Sequence, residues 1–433
     1  MLIRSQQILP ALLILLLLSV EANSQNRGYA RAVVDTLASP FMWGRGYINR
    51  GDSIAAEFVA GEFSRWNLQP FREDYFQHFH LSVNTFPENV AVQAGGREFV
   101  PGSQFIVFPS SHGAEGKFRV RKFTRSLLDN QKKLDRFLEK DHNDRFIFVD
   151  IDLRSINSRD TLKIIDSLLF QNAVGARGIL RTTNDLTWHV FARTMREQPF
   201  TGIEFHREAI DKIPRTISLD IDNSYIYDYS TRNVIGYIKG AHTPDTFIVF
   251  TAHFDHIGMM GANTLFPGAN DNASGTALMI DLARHYSQPE NKPRFSIAFM
   301  AFAAEEAGLL GSKYYTENPL FPLEQIKFLI NLDMVGTGSD GLLVFNANAD
   351  SARFEMIRVI NEEERLFPEI RPRGGSRNSD HFYFHQQGVP AFFLLTFDKE
   401  HRHYHDIYDT REALPLNRYN ELFRLITQFV EKL

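Results

Sequence analysis

The chain has 433 residues, of which 47 are basic and 52 are acidic, so its formal net charge is −5. Charges of both signs are interspersed rather than blocked, which argues against a polyanion-binding surface and predicts no nucleic-acid partner. There is no cysteine, which excludes disulfides, thiolate metal ligands and cysteine nucleophiles. The length allows a large core and one to three domains.

The first segment has the pattern of a secretory signal. Arg4 precedes an apolar run from Ile8 to Leu18, and small residues follow as far as Ser24. The run is short for a bilayer span, and no cysteine follows it that could carry a lipid. The sequence therefore predicts a signal peptide at residues 1–24. The mature chain is expected to be secreted or periplasmic, with no stable membrane anchor after signal removal.

The next segments predict a discontinuous domain organisation. A helix is expected from Asp52 to Trp66, because its apolar residues fall on one face. Residues 90–220 then carry strand and helix patterns of their own, and we expect them to form an inserted, smaller α/β domain. Its candidate elements are strands at 146–149 and 176–180 and a helix at 161–172.

Beyond residue 221 strands and helices alternate, which predicts an α/β fold with a mixed central sheet flanked by helices. Strands are predicted at 233–239, 246–252, 295–302, 327–332, 342–346 and 390–396. Helices are predicted at 272–287, 309–318, 351–366 and 416–433.

Charged residues follow three of these predicted strands directly. His253, Glu306 and Asp333 come at or just beyond the carboxyl ends of apolar runs that are typical of strands buried on both faces. In open α/β sheets this edge is where ligands bind. With two residues from other segments, they make a set of nitrogen and oxygen donors of the kind that hold zinc. The set is His253, Asp271, Glu306, Asp333 and His405.

The segments carrying these donors, with Ser379-Asp380-His381 and Gly388-Val389-Pro390-Ala391, stand in the order found in peptidase family M28. Residues 231–433 resemble this family of co-catalytic zinc peptidases, whose best-known members are secreted bacterial aminopeptidases. The resemblance implies a zinc-peptidase fold built from residues 27–85 and 221–433. The insert, 90–220, resembles the protease-associated domain of many M28 enzymes, and a diverged α/β insert of no known family is the alternative.

The resemblance also implies the cofactor and the division of roles. Two Zn²⁺ ions per chain are expected, one held by His253 and Asp333, the other by Glu306 and His405, with Asp271 bridging both. Glu305 is then free to act as the general base toward a hydroxide that bridges the metals. The family also has a cis peptide after the bridging aspartate, here Asp271-Asn272.

Three acidic residues are expected to support the ligands from behind. Asp255 is the expected hydrogen-bond acceptor for the ring nitrogen of His253 that faces away from zinc. Asp409 is expected to support the loop that carries His405. Asp380 matches a family position near the site, so a supporting or substrate-contacting role is expected.

The predicted substrate pocket is apolar and contains Met334, Phe392 and Phe393, which implies a preference for bulky apolar N-terminal residues. Some relatives carry an oxyanion-stabilising tyrosine shortly before Ser-Asp-His, and this chain does not. Zinc itself or Arg377 is expected to take that role. Arg377, just before Ser379-Asp380-His381, is also assigned to the substrate pocket, as the basic residue that could hold a terminal carboxylate.

The resulting prediction is a secreted dizinc metallopeptidase that hydrolyses the N-terminal bond of peptide substrates. The alternatives are a glutaminyl cyclase or a carboxypeptidase of the same fold, or a non-catalytic receptor-like binding protein. Cyclases of this fold bind one zinc and receptor-like relatives lose ligands, whereas this sequence has all five.

Overall fold

A computed structural model describes residues 27–152, 155–190, 198–210 and 212–433 of the protein. The predicted signal peptide, residues 1–24, lies outside the described residues. Among the helices of the described ranges, none is both long and apolar enough to cross a bilayer.

An eight-stranded mixed sheet carries the predicted ligand segments. Its strands are β1 (Phe76–Thr85), β10 (Ser224–Ile238), β11 (Thr243–His253), β14 (Phe295–Phe302), β15 (Ile326–Leu332), β16 (Gly341–Phe345), β17 (Ile370–Pro372) and β18 (Ala391–Phe397), in the order β1-β10-β14-β11-β15-β18-β16-β17. Strands β14, β11, β15 and β18 run parallel, whereas β10 and β16 pair antiparallel with this central group. The predicted mixed central sheet is confirmed.

Helices cover both faces of this sheet because its central strands are apolar on both sides. The helices of this part are α1 (27–37), α2 (Gly51–Arg65), α6 (Gly275–Tyr286), α7 (Leu310–Glu317), α8 (Ser351–Glu364), α9 (His381–Gln386) and α10 (Tyr419–Lys432). Phe63, Leu278 and Phe429 bring α2, α6 and α10 to one face. Tyr315 and Phe384 bring α7 and α9 to the other. The predicted helix at 272–287 begins only at Gly275, because a π-helical turn, Ala269–Ser274, precedes it.

A second eight-stranded sheet is formed by the stretch for which an insert is predicted. Its strands are β2 (Val90–Ala94), β3 (Arg97–Phe99), β4 (Phe105–Val107), β5 (Ala114–Thr124), β6 (Arg145–Asp150), β7 (Gly178–Thr183), β8 (Thr201–His206) and β9 (Thr216–Ile221), in the order β3-β2-β9-β5-β6-β7-β8-β4. Helices α3 (Arg125–Leu128), α4 (Gln131–Leu138) and α5 (Arg159–Gln171) accompany it. The likeness of this sheet to a protease-associated domain stays a prediction.

The second sheet packs against the first part of the molecule through an apolar cluster. Ile257, Met260 and Phe266 enter the same buried cluster as residues of β4, β6 and β8. Met260 and its neighbours form a short hairpin, β12 (Met259–Met260) with β13 (Thr264–Leu265). Because this hairpin lies between His253 and Asp271 in the chain, the apolar contact brings the second sheet close to the predicted ligands.

Candidate metal centre

Parallel strand ends bring three of the predicted ligands to one edge of the sheet. β11 ends at His253, β14 ends three residues before Glu305, and β15 ends directly before Asp333. These strands are neighbours, with β11 between the other two. Their carboxyl ends therefore meet, as expected for ligand sites in α/β sheets.

The other two predicted ligands come from irregular segments. Asp271 lies in the π-helical turn before α6, and the Asp271–Asn272 peptide bond is cis, as the family resemblance implies. His405 lies between β18 and α10 with a positive φ of 52°. All five predicted ligands are buried or nearly so, although all five are ionisable groups whose burial without a partner is strongly unfavourable.

The donor atoms form two groups that share the carboxylate of Asp271. Its Oδ1 lies 3.3 Å from His253 Nε2, and that nitrogen lies 3.4 Å from Asp333 Oδ1. Its Oδ2 lies 3.0 Å from His405 Nε2, which is also 3.0 Å from Glu306 Oε2. One aspartate thus presents one oxygen to each of two imidazoles.

These separations fit a metal centre. Tetrahedral ligands at 2.0–2.2 Å from zinc lie about 3.3–3.6 Å from each other, close to the observed 3.0–3.4 Å. Two clusters of possible ligands result, one of His253, Asp271 and Asp333 and one of His256, Asp271, Glu306 and His405. The imidazole and carboxylate donors are those that zinc accepts in catalytic sites. His256, which the sequence did not single out, holds Glu306 Oε1 at 2.8 Å through Nδ1.

The charges of the site are strongly coupled. Burial alone would lower the pKa of His253, but Glu305 and Asp333 outweigh it and hold that pKa well above its usual value. Burial likewise opposes protonation of His405, yet Glu306 and Asp271 raise its pKa. The two imidazoles in turn hold the pKa of Asp271 well below its usual value, against the effect of burial. The cluster therefore has the character of a cation site.

Adjacent glutamates differ sharply in their surroundings. Glu306 contacts two imidazoles, and His405 lowers its pKa to about 2 although burial opposes the shift. Glu305 lies 4.0 Å from His253 Nε2, and burial together with the carboxylates of Glu306 and Asp333 raises its pKa well above the usual value. Glu306 therefore has ligand surroundings, whereas Glu305 favours a bound proton.

Asp255 supports the site differently from the sequence expectation. Its Oδ1 is 3.7 Å from His253 Nδ1, beyond hydrogen-bond distance, whereas its backbone oxygen is 3.2 Å from that nitrogen. The carboxylate instead accepts the backbone N–H groups of Glu305 at 3.1 Å and Glu306 at 3.3 Å. Asp255 thus fixes both glutamates at once.

A chain of polar side chains fixes Asp333. Ser379 donates to Asp333 Oδ2 at 2.7 Å and accepts from Asn331, whose Oδ1 accepts from Thr251. Asp380 is fully buried beside them, and burial raises its pKa to about 7. Asp380 therefore lies near the candidate ligands, as predicted, and its role stays a prediction.

Asp409 is fully buried and contacts the turn of Asp271 as well as the loop that carries His405. Its two oxygens accept the backbone N–H groups of Asn270 and Asp271 at 2.9–3.0 Å. His401 Nε2 lies 3.0 Å from Asp409 Oδ1. The turn begins with N–H groups that need an acceptor, which explains why a buried carboxylate sits there.

Arg45 is a supporting residue that sequence reasoning missed. Its guanidinium is fully buried and donates only to backbone carbonyls in the described structure. The acceptors are Leu37, Phe254, Pro267, Gly268 and Asp271, at 2.7–3.1 Å. Burial lowers the pKa of Arg45 to about 10. It ties the N-terminal segment to the residue after His253 and to the turn that contains Asp271.

The second sheet also contributes to the site, through Trp188 and His189. His405 Nδ1 donates to the Trp188 carbonyl at 2.8 Å, and the Trp188 N–H donates to the His405 carbonyl at 3.0 Å. The Nδ1 atoms of His189 and His405 are 3.0 Å apart. A backbone carbonyl on the outer ring nitrogen fixes which nitrogen faces the metal. This contact spans 217 residues of sequence, so no local pattern predicted it.

Tyr404 packs against the candidate ligand His405. Its ring stacks on His405 with centroids 3.9 Å apart, and 44% of the residue is exposed. Burial of the hydroxyl and the carboxylates of Asp271 and Glu306 raise its pKa, so the hydroxyl keeps its proton. Arg377, by contrast, is exposed and lies over the ring of Phe382 at 5.3 Å.

Two predicted pocket residues lie elsewhere. Phe392 is fully buried between Phe328 and Phe429 under α10. Phe393 points to the opposite face of β18 and stacks on Phe345 at 4.7 Å. Neighbouring residues of a strand alternate between its faces, and both faces of β18 are covered. The predicted pocket role of Phe392 and Phe393 is therefore wrong, and Met334, half-buried beside Asp333, is the remaining apolar candidate.

Two donor groups that share one carboxylate, at the strand ends of an α/β sheet, fit a two-metal site of the kind that many metal-dependent hydrolases use. Residues 233–430 match the sequence profile described as peptidase family M28. Over these residues the chain is similar to peptidase family M28, and the resemblance expected from the motifs is confirmed.

Curated relatives match the same part of the chain. Aminopeptidase YwaD of Bacillus subtilis is 32% identical over 212 residues, which cover 46% of this chain and 44% of that protein. The probable leucine aminopeptidase 1 of Trichophyton verrucosum is 29% identical over 227 residues, 48% of this chain and 60% of that protein. The chain thus spans about half the length of the curated relatives it matches.

Solved structures resemble the whole molecule. BSAP, a zinc aminopeptidase from Bacillus subtilis, superposes with a TM-score of 0.65 at 21% identity and covers 94% of both chains. A peptidase M28 precursor from Shewanella amazonensis gives a TM-score of 0.65 at 18% identity and covers 95% of both. At these identities the likeness establishes the fold.

Proposed function

We propose that the protein is a zinc-dependent aminopeptidase that uses two metal ions. The observation that carries the proposal is the carboxylate of Asp271, which gives one oxygen to the His253 group and one to the His405 group. His253 and Asp333 would hold one ion, and Glu306 and His405 the other. Zinc bound there supplies Lewis-acid polarisation of the scissile carbonyl and makes a nearby water more acidic.

Glu305 acts as the general base. Its carboxylate lies 4.0 Å from the His253 imidazole, whereas that of Glu306 lies 3.0 Å from the His405 imidazole. Its raised pKa, caused by burial and by Glu306 and Asp333, suits a carboxylate that takes a proton from water and returns it to the leaving amine. Asp255, through the backbone of Glu305, keeps this carboxylate in place.

The charge distribution favours a free amine as the substrate terminus. On the His253 side, the three carboxyl groups of Glu305, Asp333 and Asp380 interact with a single imidazole, that of His253. On the His405 side, Glu306 is paired with His256 as well as His405. The excess negative charge therefore lies beside His253, where a protonated N-terminus of the substrate is held.

Tyr404 donates a hydrogen bond to the carbonyl oxygen as negative charge develops on it. Its retained proton and its position over His405 support this role. The sequence expectation that Arg377 stabilises the oxyanion is less well supported, because Arg377 is exposed over Phe382. We further propose that the protein is exported, on the pattern of residues 1–24.

The test is peptide hydrolysis by the zinc-loaded protein. Peptides beginning with Leu, Phe, Arg or Glu are offered with free and with acetylated amines, and the released residue is identified by mass spectrometry. Release of the first residue from free-amine peptides alone is expected. Glu305→Gln protein, prepared identically, controls for contaminating peptidases.

Other outcomes identify the alternatives. Loss of residues from the carboxyl terminus, unaffected by acetylation, would indicate a carboxypeptidase. Conversion of N-terminal glutamine to pyroglutamate without hydrolysis would indicate a cyclase. Either result refutes the proposal.

A further inference from the structure

We infer that a cavity in the second sheet binds the substrate side chain on the carboxyl side of the scissile bond, and that it selects aromatic or large aliphatic residues. The inference rests on the proposed function. The cavity has a volume of about 530 Å³, and its apolar walls are formed by Ile106, Phe108, Phe170 and Trp188, with His189 and the charged Arg181, Asp185 and Glu204 also lining it. Binding sites for organic groups commonly have this size and apolar character.

The cavity is fixed against the metal centre. The backbone of its wall residue Trp188 accepts a hydrogen bond from the His405 side chain and donates one to the His405 carbonyl, and the His189 ring lies edge-on to the His405 ring with centroids 4.7 Å apart. The Trp188 ring stacks on Phe266 at 4.8 Å, and its indole N–H donates to the Val107 carbonyl at 2.9 Å. The wall is therefore anchored on both parts of the molecule.

The polarity of the site decides which substrate residue reaches the cavity. The excess of carboxylates beside His253 holds the substrate amine, and with it the first residue. The cavity adjoins the His405 side of the site, because its lining residue His189 has its Nδ1 atom 3.0 Å from that of His405. A peptide that runs from the His253 side to the His405 side directs its second residue toward the second sheet.

The chemistry of the cavity favours an uncharged, flat side chain. Phe108 and Phe170 are stacked with centroids 6.3 Å apart, and the guanidinium of Arg181 lies 5.2 Å from one ring and 5.6 Å from the other. Arg181 is paired with Glu204 at 2.9 Å, so its charge is balanced. Phe170 is 51% exposed, a large apolar surface that an aromatic side chain would cover.

The experiment compares two amides, Leu-Phe-NH₂ and Leu-Gly-NH₂, with the zinc-loaded full chain. We expect kcat/KM to favour the Phe peptide by about tenfold or more, the range for burying one large side chain. Phe170→Ala should reduce this preference by roughly two- to tenfold, because one aromatic contact is lost. Tyr227→Ala, which removes an aromatic that is 78% exposed and does not line the cavity, should leave both rates unchanged.

Equal rates for the two amides, or an unaltered preference in Phe170→Ala, would overturn the inference. So would a change in selectivity for the first residue instead, measured with Phe-Gly-NH₂ against Leu-Gly-NH₂. If the wild type hydrolyses no free-amine peptide, the proposed function fails, and calorimetry on Glu305→Gln then tests the cavity alone. The cavity assignment is supported if Glu305→Gln binds Leu-Phe-NH₂ more tightly than Leu-Gly-NH₂ and if adding Phe170→Ala to this variant reduces the difference. Equal affinity for the two amides refutes it.

Discussion

Replacing Arg45 should weaken both the fold and the metal centre, although Arg45 is not a ligand. The guanidinium is fully buried and satisfies five backbone carbonyls, including those of Phe254, Gly268 and Asp271. Arg45→Met fills a similar volume with no donor. The carbonyls then lose their partner at positions next to His253 and within the Asp271 turn.

The magnitude is smaller than five separate hydrogen bonds would suggest. Bonds to charged groups contribute about 1.5–3 kcal/mol each, but removing the guanidinium also removes its own desolvation cost, which is large enough to lower its pKa to about 10. Breaking a buried charged network typically costs about 3–5 kcal/mol, and we expect that loss for Arg45→Met. Arg45→Lys should lose less, because three donors remain but cannot reach all five acceptors.

Two measurements test this reasoning. Urea unfolding of the metal-free protein reports stability, and competition with a zinc chelator reports metal affinity, which should fall about 10- to 100-fold as it does when outer partners of ligands are removed. Arg358→Met is the matched control, because Arg358 lies on the surface of α8, paired with Glu355 and Glu362. If Arg45→Met unfolds at the same urea concentration as the wild type and binds zinc equally, the supporting role assigned to Arg45 is wrong.

Four further predictions follow from the site. Purified protein should hold about two zinc ions per chain by elemental analysis, and chelation should abolish hydrolysis; saturation at one ion would favour the cyclase alternative. Glu305→Gln should lower kcat by roughly 10²–10⁴ with both metals retained, and metal loss would mean that Glu305 and Glu306 exchange roles. Tyr404→Phe should lower kcat by about 100-fold or more with little effect on KM, and an unchanged kcat would exclude the oxyanion role. Mass spectrometry of protein from its native host should find a new N-terminus between about Asn23 and Arg27, and an intact Met1 in the membrane fraction would contradict export.

The sheet that carries the candidate ligands was predictable because its central strands are apolar and are followed by charged residues. The strand expected at 327–332 is β15, Ile326–Leu332, and Asp333 follows it as predicted. Side-chain direction within a strand was harder to predict. Phe392 and Phe393 are adjacent in sequence to a family motif, yet both are core residues because α10 covers one face of β18 and His381 of α9 packs on the other. The sequence shows that such residues are apolar, but it does not show which helices and strands pack against them.

The candidate ligands could be identified from the sequence, and three acidic supporting residues with them, but the contacts that the supports make could not, for a reason that lies in the chemistry of those contacts. A metal requires particular side chains, so imidazoles and carboxylates mark its site. The supporting contacts mostly involve the backbone. Arg45 donates to carbonyls, Asp255 accepts the N–H groups of Glu305 and Glu306, and the Trp188 carbonyl accepts from His405. Every residue carries a backbone N–H or carbonyl, so one half of each contact leaves no signal in the sequence. Support of this kind can therefore come from any segment that folding brings near. That is how Trp188, between β7 and β8 and 217 residues from His405 in the chain, comes to hold a residue of the candidate metal centre.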